Sequence, residues 1–276
     1  MKSHKDSFTA FSLNVDSMAK KWDQLNLFIS GLQSSNMSFC CIMIQEARLT
    51  KEDCDSKRFD QLPGYKLFSQ EKIASEKGGL LTYIRDDFSG TIRTNLYKKS
   101  KIYEALYVEV SGPKIKNKKI TVGNIYRPPR LNNTLTLVRD FINEFRPTIK
   151  KLKDENTFSL LAGDFYLYLL KHSQNKGITE FFDFMTGNDL VPLITLPTRF
   201  AEKTCSLLDH MWVSKPCKGA LEPARTTSRV FLKKIAKADH LPCIASLDVL
   251  ETKKLTPKFI HAQKLMKIVS LLSNET

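Results

Sequence analysis

The chain has 276 residues, 42% of them apolar, and 43 Lys and Arg against 29 Asp and Glu give a formal charge of +14. Such a chain can bury a core and is not disordered over most of its length. No apolar run approaches the roughly 20 residues of a membrane-spanning helix, and the opening MKSHKDSFTAF lacks the apolar stretch of a signal peptide.

Residues 7–15 read as a strand. Residues 18–32 place Trp22, Leu25, Phe28, Ile29 and Leu32 at the spacing of an amphipathic helix. A buried strand over 39–44 follows, then a loop over 50–65 with a turn at Leu62-Pro63-Gly64-Tyr65. Residues 65–68, 79–85, 105–110 and 119–126 read as strands, and 111–118, with Gly112, Pro113 and several lysines, as the hairpin tip joining the last two. Arg127-Pro128-Pro129 stops the strand, because proline cannot extend the ladder. A helix with a basic end is expected over 135–152, a buried strand over 158–162, a short helix over 177–188, and final strands over 206–213 and 243–249. Runs of consecutive strands with helices outside them predict two packed sheets, each covered by helices. Residues 251–276 are polar and basic and read as a linker or tail.

The six cysteines form no Cys-x-x-Cys pair. They read as reduced, mostly buried thiols of an intracellular protein, not as a disulfide frame or zinc site. Positive charge gathers at Lys98-Lys99-Lys101, Lys114 to Lys119, Lys150-Lys151-Lys153 and Lys233-Lys234-Lys237. Any one cluster is explained by a solvated face, but the sum biases the chain toward polyanions, nucleic acid first. An acidic membrane surface fits less well, since no basic amphipathic helix with a broad apolar face stands out.

One set of polar residues sits where apolar runs end: Asn14 in FSLNV, Glu46 in IMIQE, Tyr126 in GNIYRPP, Asp164 in LLAGDFY, Asp209 in LLDHM, and Asp239-His240 in ADHLP. Acids and a histidine at strand ends are placed to converge on one rim of a sheet. Glu46 suits a hard cation such as Mg²⁺, and taken alone is equally a surface glutamate. Asp164, after a glycine that lets the chain turn, can orient a water or take its proton. A histidine steadied by a carboxylate, as at His240, can donate a proton or meet negative charge; a structural histidine is the lesser alternative. His210 would point away from Asp209 in a strand and is assigned no role.

The stretches FSLNVDS, MIQEARL, LPGYKLFSQEK, GGLLTYIRDD, VGNIYRPP, LLAGDFYLYLL, LVPLITLPTR, CSLLDHMWVS and ADHLPCIASL, in this order, resemble the endonuclease/exonuclease/phosphatase superfamily. Within it, the chain is most similar to the endonuclease domain of non-LTR (LINE-type) retrotransposons. The resemblance spans about residues 7–250. It implies a deoxyribonuclease I-like α/β/β/α sandwich over 1–250, with 251–276 leading toward an absent reverse transcriptase domain. It also implies a metal-dependent endonuclease that nicks double-stranded DNA with Mg²⁺, or Mn²⁺ in its place, acting in the nucleus.

The resemblance further implies roles. Glu46 and Asp239 hold the metal, Asn14 and Thr198 meet the scissile phosphate, and Tyr126 touches that phosphate. Asp164 activates the water, and Asp209 orients His240. Two positions depart from the pattern. Tyr166 stands where the family has Asn in Gly-Asp-Phe-Asn, which removes an amide from the phosphate site; losing one such donor costs about 10²–10³ in rate. Ala238 stands where serine usually precedes Asp-His. These departures, and an end at Thr276 where the linker would begin, predict a decayed or domesticated copy or a gene fragment. The alternatives are therefore a catalytically inert DNA-binding relic and, further off, a phosphatase of small phosphoesters.

Overall fold

The computed structural model describes residues 7–35, 37–55, 57–73, 77–112, 115, 119–129, 133–201, 204–214, 227–230 and 239–247. Most of the expected hairpin tip, Lys233, Lys234, Lys237, Ala238 and the tail 251–276 lie outside the described residues. In chain order the elements are β1 (Phe8–Asn14), α1 (Met18–Ser34), β2 (Cys41–Gln45), α2 (Lys51–Asp55), β3 (Tyr65–Gln70), β4 (Leu80–Arg85), β5 (Ser89–Ile92) and β6 (Lys98–Lys99). Then come β7 (Glu104–Ser111), β8 (Ile120–Tyr126), α3 (Leu135–Asp154), β9 (Phe158–Asp164), a 3-10 helix (Leu169–Gln174) and α4 (Lys176–Gly187). The last elements are β10 (Leu190–Pro192), β11 (Arg199–Ala201), β12 (Thr204–Ser206), β13 (Asp209–Ser214), β14 (Thr227–Val230) and β15 (Cys243–Leu247).

The expected loop over 50–65 instead carries α2, which starts on a reciprocal cap. Asp53 N donates to Thr50 Oγ1 at 3.1 Å, and Thr50 N donates to Asp53 Oδ2 at 3.0 Å. This is the capping-box arrangement with Asp in place of Glu. Helix α3 runs through Pro147, which lies on the exposed face.

One sheet has the order β14-β15-β1-β2-β4-β3, the other β10-β13-β9-β8-β7-β5 with β6 also on β7, and β11–β12 form a separate hairpin. Among the described residues only β1–β2 and β8–β9 pair in parallel; they are the pairs joined through α1 and α3, as parallel neighbours require a crossover.

Side-chain alternation sorts the strands into layers. Phe11, Leu13, Ile42, Ile44, Leu81 and Tyr83 pack with Leu25, Ile29 and Leu32 of α1. The opposite-facing Phe8, Ala10, Cys41, Met43, Leu80 and Ile84 join the core shared with the second sheet. Phe141 and Phe145 of α3 and Phe181 of α4 cover that sheet's outer face, meeting Phe165 and Trp212 edge-on or tilted. The result is an α/β/β/α sandwich. No helix among the described residues is long and apolar enough to cross a membrane.

A buried polar plug ties the sheets together just below one rim. Asn124 Nδ2 donates to Ile44 O, Leu81 O and Thr82 Oγ1 at 3.1, 2.9 and 3.2 Å. Gln45 Nε2 donates to Asn124 Oδ1 at 2.7 Å and to Ser12 Oγ at 3.2 Å. Every partner is satisfied, so the plug fixes how one sheet sits on the other without an unpaired buried group.

Candidate active site

The strand-end residues meet on the rim above that plug. Tyr126 pairs in register with Asp164, and Asp164 with Asp209. One rung of the second sheet therefore sets phenol, carboxylate and carboxylate side by side. On the facing sheet Asn14 pairs with Gln45, and Glu46 is the next residue. Asn14 Nδ2 bridges the sheets, donating to Glu46 Oε1 at 3.1 Å and to Asp164 Oδ2 at 2.9 Å. Its Oδ1 accepts from Asp16 N at 3.0 Å, which fixes the amide's orientation.

The backbone bends sharply at these positions. Asp16, Glu46 and Tyr166 have φ of 45°, 48° and 49°, and Gly163 has φ 143°. A Cβ on Gly163 would lie 1.9 Å from Ile125 O, so only glycine lets β9 come this close to β8 just before Asp164. Left-handed non-glycine residues are costly and cluster at functional sites. The turn after Asp164 closes through Tyr166 N, which donates to Asp164 Oδ1 at 2.9 Å.

His240 reaches the rim from the segment entering β15. Its Nδ1 lies 2.8 and 3.0 Å from the two oxygens of Asp209, and its Nε2 lies 3.9 Å from Asp164 Oδ2. Residues 239–241 are strapped to 198–200: Phe200 N donates to Asp239 O at 2.9 Å and Leu241 N to Thr198 O at 2.7 Å. Thr198 is wholly buried, and its Oγ1 accepts from Leu208 N and Asp209 N at 3.2 and 3.1 Å. These bonds tie the Thr198 hydroxyl to the backbone at Asp209. Asp239 is half-exposed and held by Arg199 Nε at 2.7 Å.

His210 points to the outer face, where its ring stacks on Phe165 and its Nε2 lies 2.9 Å from Leu167 O. Burial there lowers its pKa to about 4.

Charge at the rim is unbalanced. Burial, with the Asp209 charge beside it, pushes Asp164 up to about 7. Burial alone would lower His240, but Asp209 outweighs it and raises the imidazole to about 9. Burial and the carboxylates of Glu46 and Asp164 keep the Tyr126 phenol protonated. Lys21 of α1 is drawn down by burial, although Asp16, Asp239 and Glu46 lie near enough to oppose that. Lys21 and Arg199 had no role in the sequence reading. Arg199 follows Thr198 in the LPTR stretch and was legible there; Lys21 carries no local signal.

Asp164, Asp209 and His240 each offer a ligand atom within 4.8 Å of the others. Glu46, Asp164 and Asp209 are buried oxygen donors, and the Tyr126 hydroxyl beside them makes no hydrogen bond of normal geometry. Such crowded hard donors fit a divalent cation, whose charge would counter the burial and the Asp209 repulsion that together raise Asp164.

The lysine clusters are partly neutralised. Lys98 pairs with Glu144 at 2.8 Å, Lys99 with Glu71 at 2.9 Å, Lys119 with Glu109 at 2.6 Å and Lys153 with Asp189 at 3.0 Å.

No protein-family profile and no curated protein matches the chain. Solved structures do. The endonuclease domain of TRAS1, a telomere-specific non-LTR retrotransposon, is 12% identical over 87% of this chain and 98% of its own, with a TM-score of 0.63. The AP endonuclease LMAP from Leishmania major is 15% identical, covering 89% of each chain, with a TM-score of 0.68. TDP2 from D. rerio, solved with a single-strand DNA product, is 12% identical over 88% of this chain and 99% of its own, with a TM-score of 0.61. At these identities the likeness concerns the fold, a deoxyribonuclease I-like α/β/β/α sandwich.

Proposed function

We propose that the protein is a divalent-metal-dependent endonuclease of retrotransposon origin that hydrolyses one strand of double-stranded DNA and leaves a 3′-hydroxyl. The observation that carries this reading is the buried Asp164–Asp209–His240 cluster, bridged to Glu46 by the Asn14 amide. The fold shared with the solved nucleases supports it.

In this reading Asp164 takes the proton of a water aligned by its carboxylate. A base near neutrality suits that task, and its site holds Asp164 at about 7. The water oxygen bonds to phosphorus as the bond from phosphorus to O3′ breaks, and O3′ gains a proton from solvent. His240, protonated through Asp209, directs its Nε2 proton at the phosphoryl oxygens as charge develops there. The Asn14 amide and Tyr126 hydroxyl are further donors on the same wall, and Thr198 holds Asp209 in place. Glu46, with Asp239 across the rim, would hold Mg²⁺ or Mn²⁺. The ion supplies Lewis-acid stabilisation of the phosphate when bound.

Tyr166 favours a second reading, a DNA-binding relic without turnover. It puts a phenol where the resemblance calls for a short amide, at a strained turn beside Asp164. The test is purified protein with supercoiled plasmid and Mg²⁺ or Mn²⁺, beside Tyr166→Asn and His240→Ala. Nicking lost in His240→Ala supports the enzyme. Nicking absent until Tyr166→Asn restores it supports the relic. A nuclear location and a reverse transcriptase partner belong to the same proposal.

A further inference from the structure

Arg127 is a charged side chain with no exposed surface at all. It follows β8 directly, and the sequence reading used it only as part of the Arg-Pro-Pro stop. Burying a guanidinium is costly unless its donors and charge are engaged. Burial indeed draws this one down to about 10, with Asp164 and Tyr166 opposing the fall.

Two of its hydrogen bonds involve the turn that follows β9. The backbone N of Arg127 donates to Asp164 O at 2.9 Å, extending the β8–β9 ladder one step past the strand ends. The side chain then turns back under the following turn. Nη1 donates to Tyr166 O and to Asn133 Oδ1, each at 3.4 Å. The guanidinium carbon lies 5.7 Å from the centroid of Phe141 on α3, within range of a cation–π contact. Phe141 in turn packs on Phe165. One residue therefore grips both ends of the Asp164–Phe165–Tyr166 turn and anchors it to α3 and to the segment leading into it.

That grip counters a specific weakness. Tyr166 sits at φ 49°, a left-handed conformation that is unfavourable for a non-glycine residue. The Tyr166 N–Asp164 Oδ1 bond depends on that conformation. Released, the turn would move toward ordinary backbone angles and carry the Asp164 carboxylate off its line. Both acceptors are met by the one Nη1, and the guanidinium that carries it lies over the Phe141 ring; the flexible ammonium of lysine has no such plane to fix its donors.

We propose that Arg127 is a positioning residue: its buried guanidinium clamps the Tyr166 carbonyl and so holds the strained turn that presents Asp164 to substrate. The activity arm of this inference rests on the nuclease reading; its structural arm does not.

The test compares the full chain with Arg127→Lys, which keeps charge and stem, and Arg127→Met, which keeps only volume. The amide exchange of Tyr166 is followed by NMR, with Trp212 as a reference for the intact core. Expected are core protection unchanged in Arg127→Lys, Tyr166 exchange at least about tenfold faster, and larger losses in Arg127→Met. Nicking should fall about 10²-fold in kcat with KM held, as for misplacement without lost binding. Unchanged Tyr166 protection in Arg127→Lys would overturn the clamp whatever the nicking assay shows. Should Arg127→Met fail to fold, the lysine variant alone decides. If the wild type never nicks DNA but Tyr166 protection falls as expected, the clamp stands and the nuclease reading fails.

Discussion

Asp209 presents both carboxylate oxygens to His240 Nδ1, at 2.8 and 3.0 Å, which turns Nε2 toward Asp164. The pair leaves one imidazole N–H for the phosphate. His240→Ala removes that donor and should lower nicking by at least about 10³-fold. Asp209→Asn keeps a hydrogen-bonding group but not the charge that holds the proton, and should cost about 10²-fold. Plasmid relaxation gives the rates, and a gel-shift in the absence of metal should show DNA affinity unchanged within about threefold in both. Equal loss of binding would place the pair in affinity instead of chemistry.

The same pair makes metal-free stability depend on pH. His240 is raised to about 9 in the folded chain from an ordinary 6.5. The folded state thus binds the proton more tightly, and its contribution is fully present below about 6.5 and lost as pH rises through 9. At most about 3 kcal/mol is involved. Thermal melts in EDTA should show Tm falling between pH 6.5 and 9, and His240→Ala should flatten that limb. A wild-type Tm rising through this window would contradict the assignment.

Much of this site could be read from the chain because its residues end strands, and strand ends have a hydrophobic signature. Asn14 and Asp164 end β1 and β9 and Glu46 follows β2, whereas Asp209 opens β13 after Leu207-Leu208, and a parallel or antiparallel register then brings them level. Arg199 and Lys21 were missed for a different reason. The place of Lys21 depends on the roll of α1, which leaves no local pattern; Arg199 lies inside the LPTR stretch, but its pairing with Asp239 depends on how residues 198–200 are strapped to 239–241. The polar plug of Gln45 and Asn124 was hidden similarly, since each interrupts an apolar run that reads as core. Short strands such as β5 and β10 to β12 are too brief for periodicity. Helix α2 was legible in principle, through the Thr50-Lys51-Glu52-Asp53 cap.

The fully buried Asn124 side chain meets four partners, Ile44 O, Leu81 O, Thr82 Oγ1 and Gln45 Nε2. Asn124→Leu keeps the volume but leaves Ile44 O, Leu81 O and the Gln45 amide without their mates. Stranded buried groups cost about 1–3 kcal/mol each, so the variant should lose several kcal/mol or fail to fold. Chemical denaturation reads the loss. A cost below about 1 kcal/mol would mean that the plug is filler and the sheets are registered by apolar packing alone.

Tyr166 offers the sharpest separation of stability from activity. Its φ of 49° suits asparagine far better than tyrosine, because a short amide tolerates the left-handed region and a β-carbon bearing a ring does not. Tyr166→Asn should therefore raise Tm by a few degrees, corresponding to about 0.5–1 kcal/mol. If the amide also restores a donor at the phosphate, nicking should rise about 10²-fold at unchanged DNA affinity. The two effects have separate causes, so they can part company. A gain in Tm without a gain in rate would show that the tyrosine strains the turn but does not obstruct the chemistry. The reverse would show a ring in the path of the phosphate whose packing repays its backbone strain.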